Sequence, residues 1–246
     1  MSGHSKWATI KRKKAALDSK RSAVFTKLLR EVTVAAKLGG PSPEANARLR
    51  LAIQAAKKSS VPKDAIERAV NKGGDADSAT LQEVVYEGYG PHGVAILIEC
   101  TTDNPTRTVA NMRMYLSRGG GALGVSGSVD YLFQRKGVFT LPVAAMDEEM
   151  LTLELLEAGI EDIETDGEFY TITCPFEAFG AVNAKLEALK LEAESSELSR
   201  IPMTSVPLTG EALEKVLGLI EKIEDDDDVA KVFHNLELTD EVLESV

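Results

Sequence analysis

Lys6, Lys11, Arg12, Lys13, Lys14, Lys20 and Arg21 put seven cations into the first 21 residues of a 246-residue chain. Cations presented together suit a polyanion, because each phosphate they neutralise releases condensed counterion and affinity accumulates. Trp7, beside Lys6, offers a ring that stacks on a base or on a guanidinium plane; the alternative for it is a plug in a helical core. Lys27, Arg30, Arg48, Arg50, Lys57 and Lys58 continue the basic series. A solvated helical face is the alternative for the whole series. These side chains suit phosphates rather than base edges, and no base-reading pattern is visible.

Other motifs carry less. Gly88-Tyr89-Gly90-Pro91-His92-Gly93 matches G-x-G-x-x-G, but a β-branched strand follows it instead of the helix whose N-terminus would meet a pyrophosphate. A tight turn with glycines at positive φ explains it better, leaving Tyr89 and His92 on a candidate contact loop. Asn104 and Arg107 sit where a strand ends and a helix starts, so free amides there suit an anion; helix capping is the alternative. Gly119 to Ser128 reads as a flexible glycine-rich loop. Asp225-Asp226-Asp227-Asp228 reads as a solvated run rather than a metal site, since consecutive carboxylates do not converge on one cation unaided. His4, His92 and His234 have no ligand partners at metal spacing, and no nucleophile, base and orienter occur together. Neither catalysis, nor a metal, nor a cofactor is expected.

Charge is strongly segregated along the chain. Residues 1–80 hold 17 Lys and Arg against 7 Asp and Glu, a net of +10, whereas residues 144–246 hold 6 against 27, a net of −21. This asymmetry points to a basic domain that binds nucleic acid, carried by a body that is not attracted to it. Docking of the basic third on the acidic third is the competing explanation. With 43% hydrophobic and 27% charged residues the composition is globular, which excludes wholesale disorder. No run reaches the roughly 20 apolar residues of a membrane span. Lys11 to Lys14 occupy the place where a signal peptide needs its apolar region. Cys100 and Cys174 stand alone, so a reducing cytoplasm is the expected location.

The elements that must position these residues follow from periodicity. Val24, Phe25, Leu28, Leu29, Val32 and Ala36 form one helical face that Gly39-Gly40-Pro41 ends. A second helix follows Pro43 with Ala45, Leu49, Ala52, Ile53 and Ala56 inward, and a third starts at Pro62 and ends at Gly73-Gly74. Residues 75–79 read as a linker. Strands are expected at 84–87 and 94–100, a helix from Asn104 to Ser117, and a strand near 129–133. From 136 the order β-α-β-β-α-β indicates a ferredoxin-like unit, with a turn at Asp166-Gly167 and its last strand near 203–208. A helix over 211–224 and a strand near 231–236 remain, and the incomplete middle sheet is their natural destination. The expected fold class is therefore α+β multidomain. A small N-terminal helical domain (1–78) precedes two α/β two-layer domains of ferredoxin-like type, a middle one (79–135 plus 208–246) and a last one (136–207) inserted into it.

Gly3-His4-Ser5-Lys6-Trp7, Phe25-Thr26-Lys27, Ala35-Ala36-Lys37-Leu38-Gly39-Gly40, Tyr86-Glu87-Gly88-Tyr89-Gly90-Pro91, Thr102-Asp103-Asn104, Arg107-Thr108, Gly127-Ser128-Val129 and Ile201-Pro202 together resemble the YebC/PmpR family. Sparser marks, Asp228-Val229 and His234-Asn235, extend the resemblance to the C-terminal part. Pro105 departs from the family pattern, where a basic residue is common. The resemblance implies a three-domain cytoplasmic protein that regulates transcription by binding DNA. It equally implies an alternative, a ribosome-associated translation factor that binds ribosomal or messenger RNA and relieves stalling at proline-rich stretches, as for the mitochondrial relatives. The expected partner is nucleic acid or the ribosome, with no membrane.

Overall fold

The computed structural model describes residues 21–75 and 81–237, which form two compact units: 21–75 with 81–131 and 205–236, and 132–204. The 76–80 segment, covering most of the expected linker, lies outside the described residues.

The first unit opens with three helices, α1 (Arg21–Gly39), α2 (Ala47–Lys58) and α3 (Lys63–Gly74). Val32, Ala35, Ala36, Leu49, Ala52, Ala56, Val61, Ile66 and Ala69 are their buried core. Five of these nine are alanine, so the helices gain little apolar area each and must approach closely instead. A Cβ on Gly73 would fall 2.4 Å from the Thr33 carbonyl oxygen, which shows how near α3 runs to α1. Val24 faces solvent and Ala45 precedes α2 on the exposed side, so neither joins the expected inward stripe. In place of Ala45 the chain buries Asn46. Its side-chain oxygen accepts from the Leu49 amide at 3.0 Å, capping α2. Its amide donates to the Ala35 and Gly40 carbonyls at 2.7 and 2.8 Å, closing the end of α1.

A four-stranded sheet follows, in the order β3 (Ala122–Leu123), β1 (Gln82–Tyr89), β2 (Ala95–Thr102), β8 (Val229–His234). β1 (Gln82–Tyr89) and β2 (Ala95–Thr102) pair antiparallel from Gln82 opposite Thr102 to Tyr89 opposite Ala95. Helix α4 (Pro105–Arg118) starts at the Asn104 cap, and β3 (Ala122–Leu123) returns to Gly88 and Tyr89. In the Gly88–Gly93 segment only His92 (φ 61°) and Gly93 (φ 77°) have positive φ. The expected reason for Gly88 is therefore replaced by another: a Cβ there would lie 2.6 Å from the Ala122 carbonyl oxygen. Val129 to Leu132 is not the expected strand, because Asp130–Leu132 forms a short 3-10 turn and the strand starts only at Phe133.

The second unit has β4 (Phe133–Pro142), α5 (Glu148–Leu156), β5 (Asp162–Thr165), β6 (Phe169–Pro175), α6 (Phe179–Ala188) and β7 (Ser195–Pro202). All strand pairs are antiparallel and the order is β5-β6-β4-β7, the arrangement of a ferredoxin-like fold. The core includes Phe139, Leu141, Leu151, Leu155, Ile172 and Val182. Gly167 (φ 92°) makes the hairpin turn, where Asp166 Oδ1 accepts from the amides of Glu168 and Phe169. The last strand ends at Pro202 instead of beginning near Met203, since Ser195 to Pro202 pairs with β4 over its whole length. The expected boundaries at 135/136 and 207/208 fall a few residues late for the same reason: β4 already begins at Phe133.

After this excursion the chain completes the first sheet. Helix α7 (Gly210–Glu224) leads to β8 (Val229–His234), antiparallel to β2 with an irregularity at Glu99/Cys100. α7 buries Leu213, Val216, Leu219, Ile220 and Ile223, opposite the apolar residues Met112 and Leu116 of α4. Asn235 Oδ1 accepts from the Ala95 amide at 2.8 Å, and the Asn235 carbonyl accepts from the Val206 amide at 2.8 Å. One residue thus ties the outgoing and returning segments. The fold class is the α+β multidomain arrangement expected from the sequence.

Candidate nucleic-acid interface

Lys6, Trp7, Lys11, Arg12, Lys13, Lys14 and Lys20 lie outside the described residues, and Arg21 opens α1. The remaining cations separate into two groups. Arg50 and Lys57, seven residues apart, share one side of α2, and Lys57 and Lys58 are exposed. Lys27, Arg30 and Arg48 are engaged within the chain.

What engages Lys27 and Arg30 is the acidic turn after α7. Lys27 Nζ donates to the Glu224 carbonyl, and Arg30 donates to the Asp227 carbonyl and, at 2.9 Å, to Asp228 Oδ1. Burial lowers the Lys27 ammonium below the usual lysine value despite Glu224, Asp225, Asp226 and Asp227 around it. Asp225 and Asp227 are exposed, as expected of a solvated run, but Asp226 is half-buried and Asp228 is buried. Asp228 is only 4% exposed, because the turn carries it under α1 and against α4.

Asp228 gathers a polar cluster from three elements, with Arg30 on the first helix, Thr101 and Thr102 on the strand before α4, and Arg107 and Thr108 on α4. Arg107 Nη2 reaches its two carboxylate oxygens at 2.8 and 3.1 Å, and the hydroxyls of Thr102 and Thr108 donate to Oδ2 at 3.1 and 2.8 Å. Its backbone carbonyl accepts from the Thr101 amide at 2.8 Å. Two positions earlier, Asp226 Oδ2 accepts from Asn111 Nδ2 at 3.0 Å and from Tyr115 at 3.1 Å. An open polar hollow of about 550 Å³ lies here, lined by Arg30, Asp103, Arg107, Asn111, Tyr115 and the aspartate turn. Each buried carboxylate oxygen in it is met by a donor, so the cluster docks α1 and α4 onto the turn.

Arg48 performs a similar task beside it, through the α1 residue that follows Arg30. Its guanidinium contacts Glu31 of α1 at 2.8 Å and Glu83 of β1. Burial works against its charge, but the hydrogen bonds to Glu83 and Glu31 outweigh it and raise its pKa above the usual arginine value.

The candidate loops fall into place by local chemistry. Asn104 caps α4, its Oδ1 accepting from the Arg107 amide at 3.1 Å. Arg107 pairs with Asp103 as well as Asp228. Tyr89 donates to the Ser128 carbonyl at 3.0 Å, and His92 is exposed on the β1–β2 connection. The Gly119–Ser128 loop is braced at its end rather than free. Buried Glu87 accepts from the amides of Gly127, Val129 and Asp130 at 2.7, 2.8 and 2.9 Å.

Sequence reasoning passed over Asp228, Glu87 and Asn46. A charged residue directly before a β-branched strand, as Asp228 stands before Val229, was the available signal. Among the described residues no three His, Cys, Asp or Glu side chains converge as metal ligands, and no helix is long and apolar enough to cross a membrane.

Comparison with known proteins covers nearly the whole chain. The family model described as TACO1/YebC protein N-terminal domain matches residues 5–76, and that described as TACO1/YebC second and third domain matches residues 81–236. A "Probable transcriptional regulatory protein" of Amoebophilus asiaticus is 53% identical over 96% of this chain and 98% of its own length. One of the same description from Chlorobium luteolum is 48% identical over 100% of this chain and 99% of its own. The crystal structure of a conserved hypothetical protein from Aquifex aeolicus superposes with a TM-score of 0.78 at 41% identity, covering 90% of this chain and 92% of that one.

Proposed function

The chain belongs to the TACO1/YebC family, and from that premise we propose that it is a non-catalytic, nucleic-acid-binding regulator of gene expression, a DNA-binding transcriptional regulator whose basic helical domain contacts phosphates. The observation that carries this reading is the charge segregation, net +10 over residues 1–80 against −21 over residues 144–246. A polyanion is attracted to one part of such a molecule and repelled by the other, which gives a defined contact face instead of indiscriminate coating. The names of the relatives from Amoebophilus asiaticus and Chlorobium luteolum support the regulatory role.

Since Lys27, Arg30 and Arg48 are held by the aspartate turn, Glu31 and Glu83 and Arg50 reaches the Pro43 carbonyl, the phosphate contacts are assigned to the Lys6 to Arg21 cluster and to Lys57. Side-chain cations at these positions supply affinity and orientation more than sequence readout.

The test is crosslinking in cells, followed by purification and separate treatment with DNase and RNase. Attached material lost only to DNase and mapping to promoters supports the transcriptional reading. Material lost only to RNase and mapping to ribosomal RNA overturns it and favours a ribosome-associated translation factor.

A further inference from the structure

Helix α5 of the second unit is apolar on more than its buried side. Five of its nine residues are Met or Leu, yet only Leu151 and Leu155 enter the core. Met150, Leu153 and Leu156 are 52%, 66% and 62% exposed. With 3.6 residues per turn, Leu153 points away from the two buried leucines, and Met150 and Leu156 flank it on either side. A helix with apolar residues all round is ordinarily covered all round. Single exposed leucines are common, but three large apolar side chains grouped on one short helix mark a contact surface.

Helix α6 lies beside α5, joined to it by Lys185 Nζ and Glu154 Oε2 at 2.8 Å, and presents the opposite relief. Gly180, Ala184 and Ala188 recur every four residues on its exposed side, while Val182 and Leu186 face the core. A Cβ on Gly180 would have no atom within 4 Å, so among the described residues nothing covers this end of the row. A ridge of large side chains on α5 thus stands next to a low floor on α6.

Charge and size narrow what fits there. Lys185 is the only cation within the two helices, and Glu154 takes it. Glu149 and Glu157, four residues before and after Leu153, are exposed in line with it. Helices of nine and ten residues, about 15 Å long and about 20 Å across as a pair, offer roughly 300 Å². A stable interface between folded subunits takes about 800 Å² from each.

We propose that the outer face of α5 and α6 docks a short, basic, amphipathic helix of a partner protein. Its apolar side chains rest on Gly180, Ala184 and Ala188 against the α5 ridge, and its Lys or Arg residues meet Glu149 and Glu157. A second copy of this chain is the poorer occupant: the face is too small for it, and it would bring the same carboxylates against each other. The proposal concerns a protein partner and is independent of the nucleic-acid reading.

The test uses the full-length protein and three fluorescein-labelled synthetic peptides of about 14 residues, four turns if helical. One has leucines and lysines at amphipathic helical spacing. Another has the same residues in an order without that spacing, and the third keeps the spacing with glutamate in place of lysine. By anisotropy the first should bind at least about 10-fold more tightly than the other two. Leu153→Ala should weaken it about 10-fold, as for an anchor side chain, and Glu149→Gln with Glu157→Gln should flatten its salt dependence. Equal binding of the two lysine peptides, parental binding by Leu153→Ala, or no binding of the first peptide overturns the proposal. So does a dimer in sedimentation equilibrium that Leu153→Ala dissolves, since a second copy then covers the face.

Discussion

Arg30 and Asp228 stand 198 residues apart in the chain and 2.9 Å apart in space. The pair joins the basic helical domain to the acidic turn, and the same carboxylate holds Arg107, Thr102 and Thr108. Docking of basic on acidic segments and binding of a polyanion are therefore not rival uses of the same residues. Docking occupies Lys27, Arg30 and Arg48, and the proposed polyanion contacts fall to other cations.

Asp228 carries a pH signature. Burial by itself would raise its pKa, but hydrogen bonds from Arg107 and Thr108, the Arg30 charge and the Thr102 hydroxyl hold it below the usual aspartate value. With the folded value below an unfolded one near 3.9, its stabilisation is complete at neutral pH and is lost as pH falls through the folded value. Asp228→Asn should cost about 2 kcal/mol at pH 7, as for hydrogen bonds to a charged group. The gap should shrink as pH drops below about 4. Urea denaturation at both pH values measures this, and equal stability at pH 7 would remove the carboxylate from the role given to it.

Salt dependence separates the two groups of cations. Replacing Lys11, Arg12, Lys13 and Lys14 together by alanine should reduce the slope of log K against log salt on duplex DNA by about 3 to 4. Lys57→Gln should reduce it by about 1. Arg48→Gln should leave it unchanged, because Glu31 and Glu83 already hold that guanidinium. Anisotropy titrations across a salt series read all three slopes; a loss at Arg48 matching that at Lys57 would show that its ion pairs open on binding.

Glu87 acts as an acceptor for backbone amides. Its carboxylate takes three backbone amides, and Glu87→Gln would turn an amide group toward donors it cannot satisfy. A loss of about 2 kcal/mol is expected, seen as a lower denaturation midpoint, with amide exchange accelerated at Gly127, Val129 and Asp130. Unchanged exchange at those three amides would count against this role.

Two glycines should respond in opposite directions. Gly121→Ala places a methyl group against the Tyr89 carbonyl and should destabilise by about 1 to 3 kcal/mol. Gly218→Ala, inside α7 with no atom within 4 Å of its Cβ position, should stabilise by about 0.5 to 1 kcal/mol through helix propensity and a less flexible unfolded chain. Thermal melts of the two variants decide it: the same sign for both would mean that local packing is not what distinguishes them.

Much of the fold was legible because local chemistry writes it. The three-to-four spacing of Phe25, Leu28, Leu29, Val32 and Ala36 specified α1 without a partner. Asp166-Gly167 named its hairpin turn, and the β-α-β-β-α-β order led to the sheet order of the second unit. Asn104 before Pro105 marked the start of α4. Where the reading slipped, a distant group had intervened. Val129 is β-branched and buried, yet its amide and that of Asp130 go to Glu87, 42 and 43 residues away, so the segment turns instead of extending. The strand expected near Met203 lies earlier because pairing with β4 chose the register.

The candidate interface divides along the same line. Residue types and their density along the chain, with the swing from net +10 to −21, come from the sequence alone, because charge is a property of side chains and needs no fold. Which of those charges face outward was decided only by tertiary structure. Asp228 reads as one more solvated aspartate until α7 and β8 carry it beneath Arg30, and a contact across 198 residues depends on how two helices and a sheet pack, on which no local pattern of three or four residues bears.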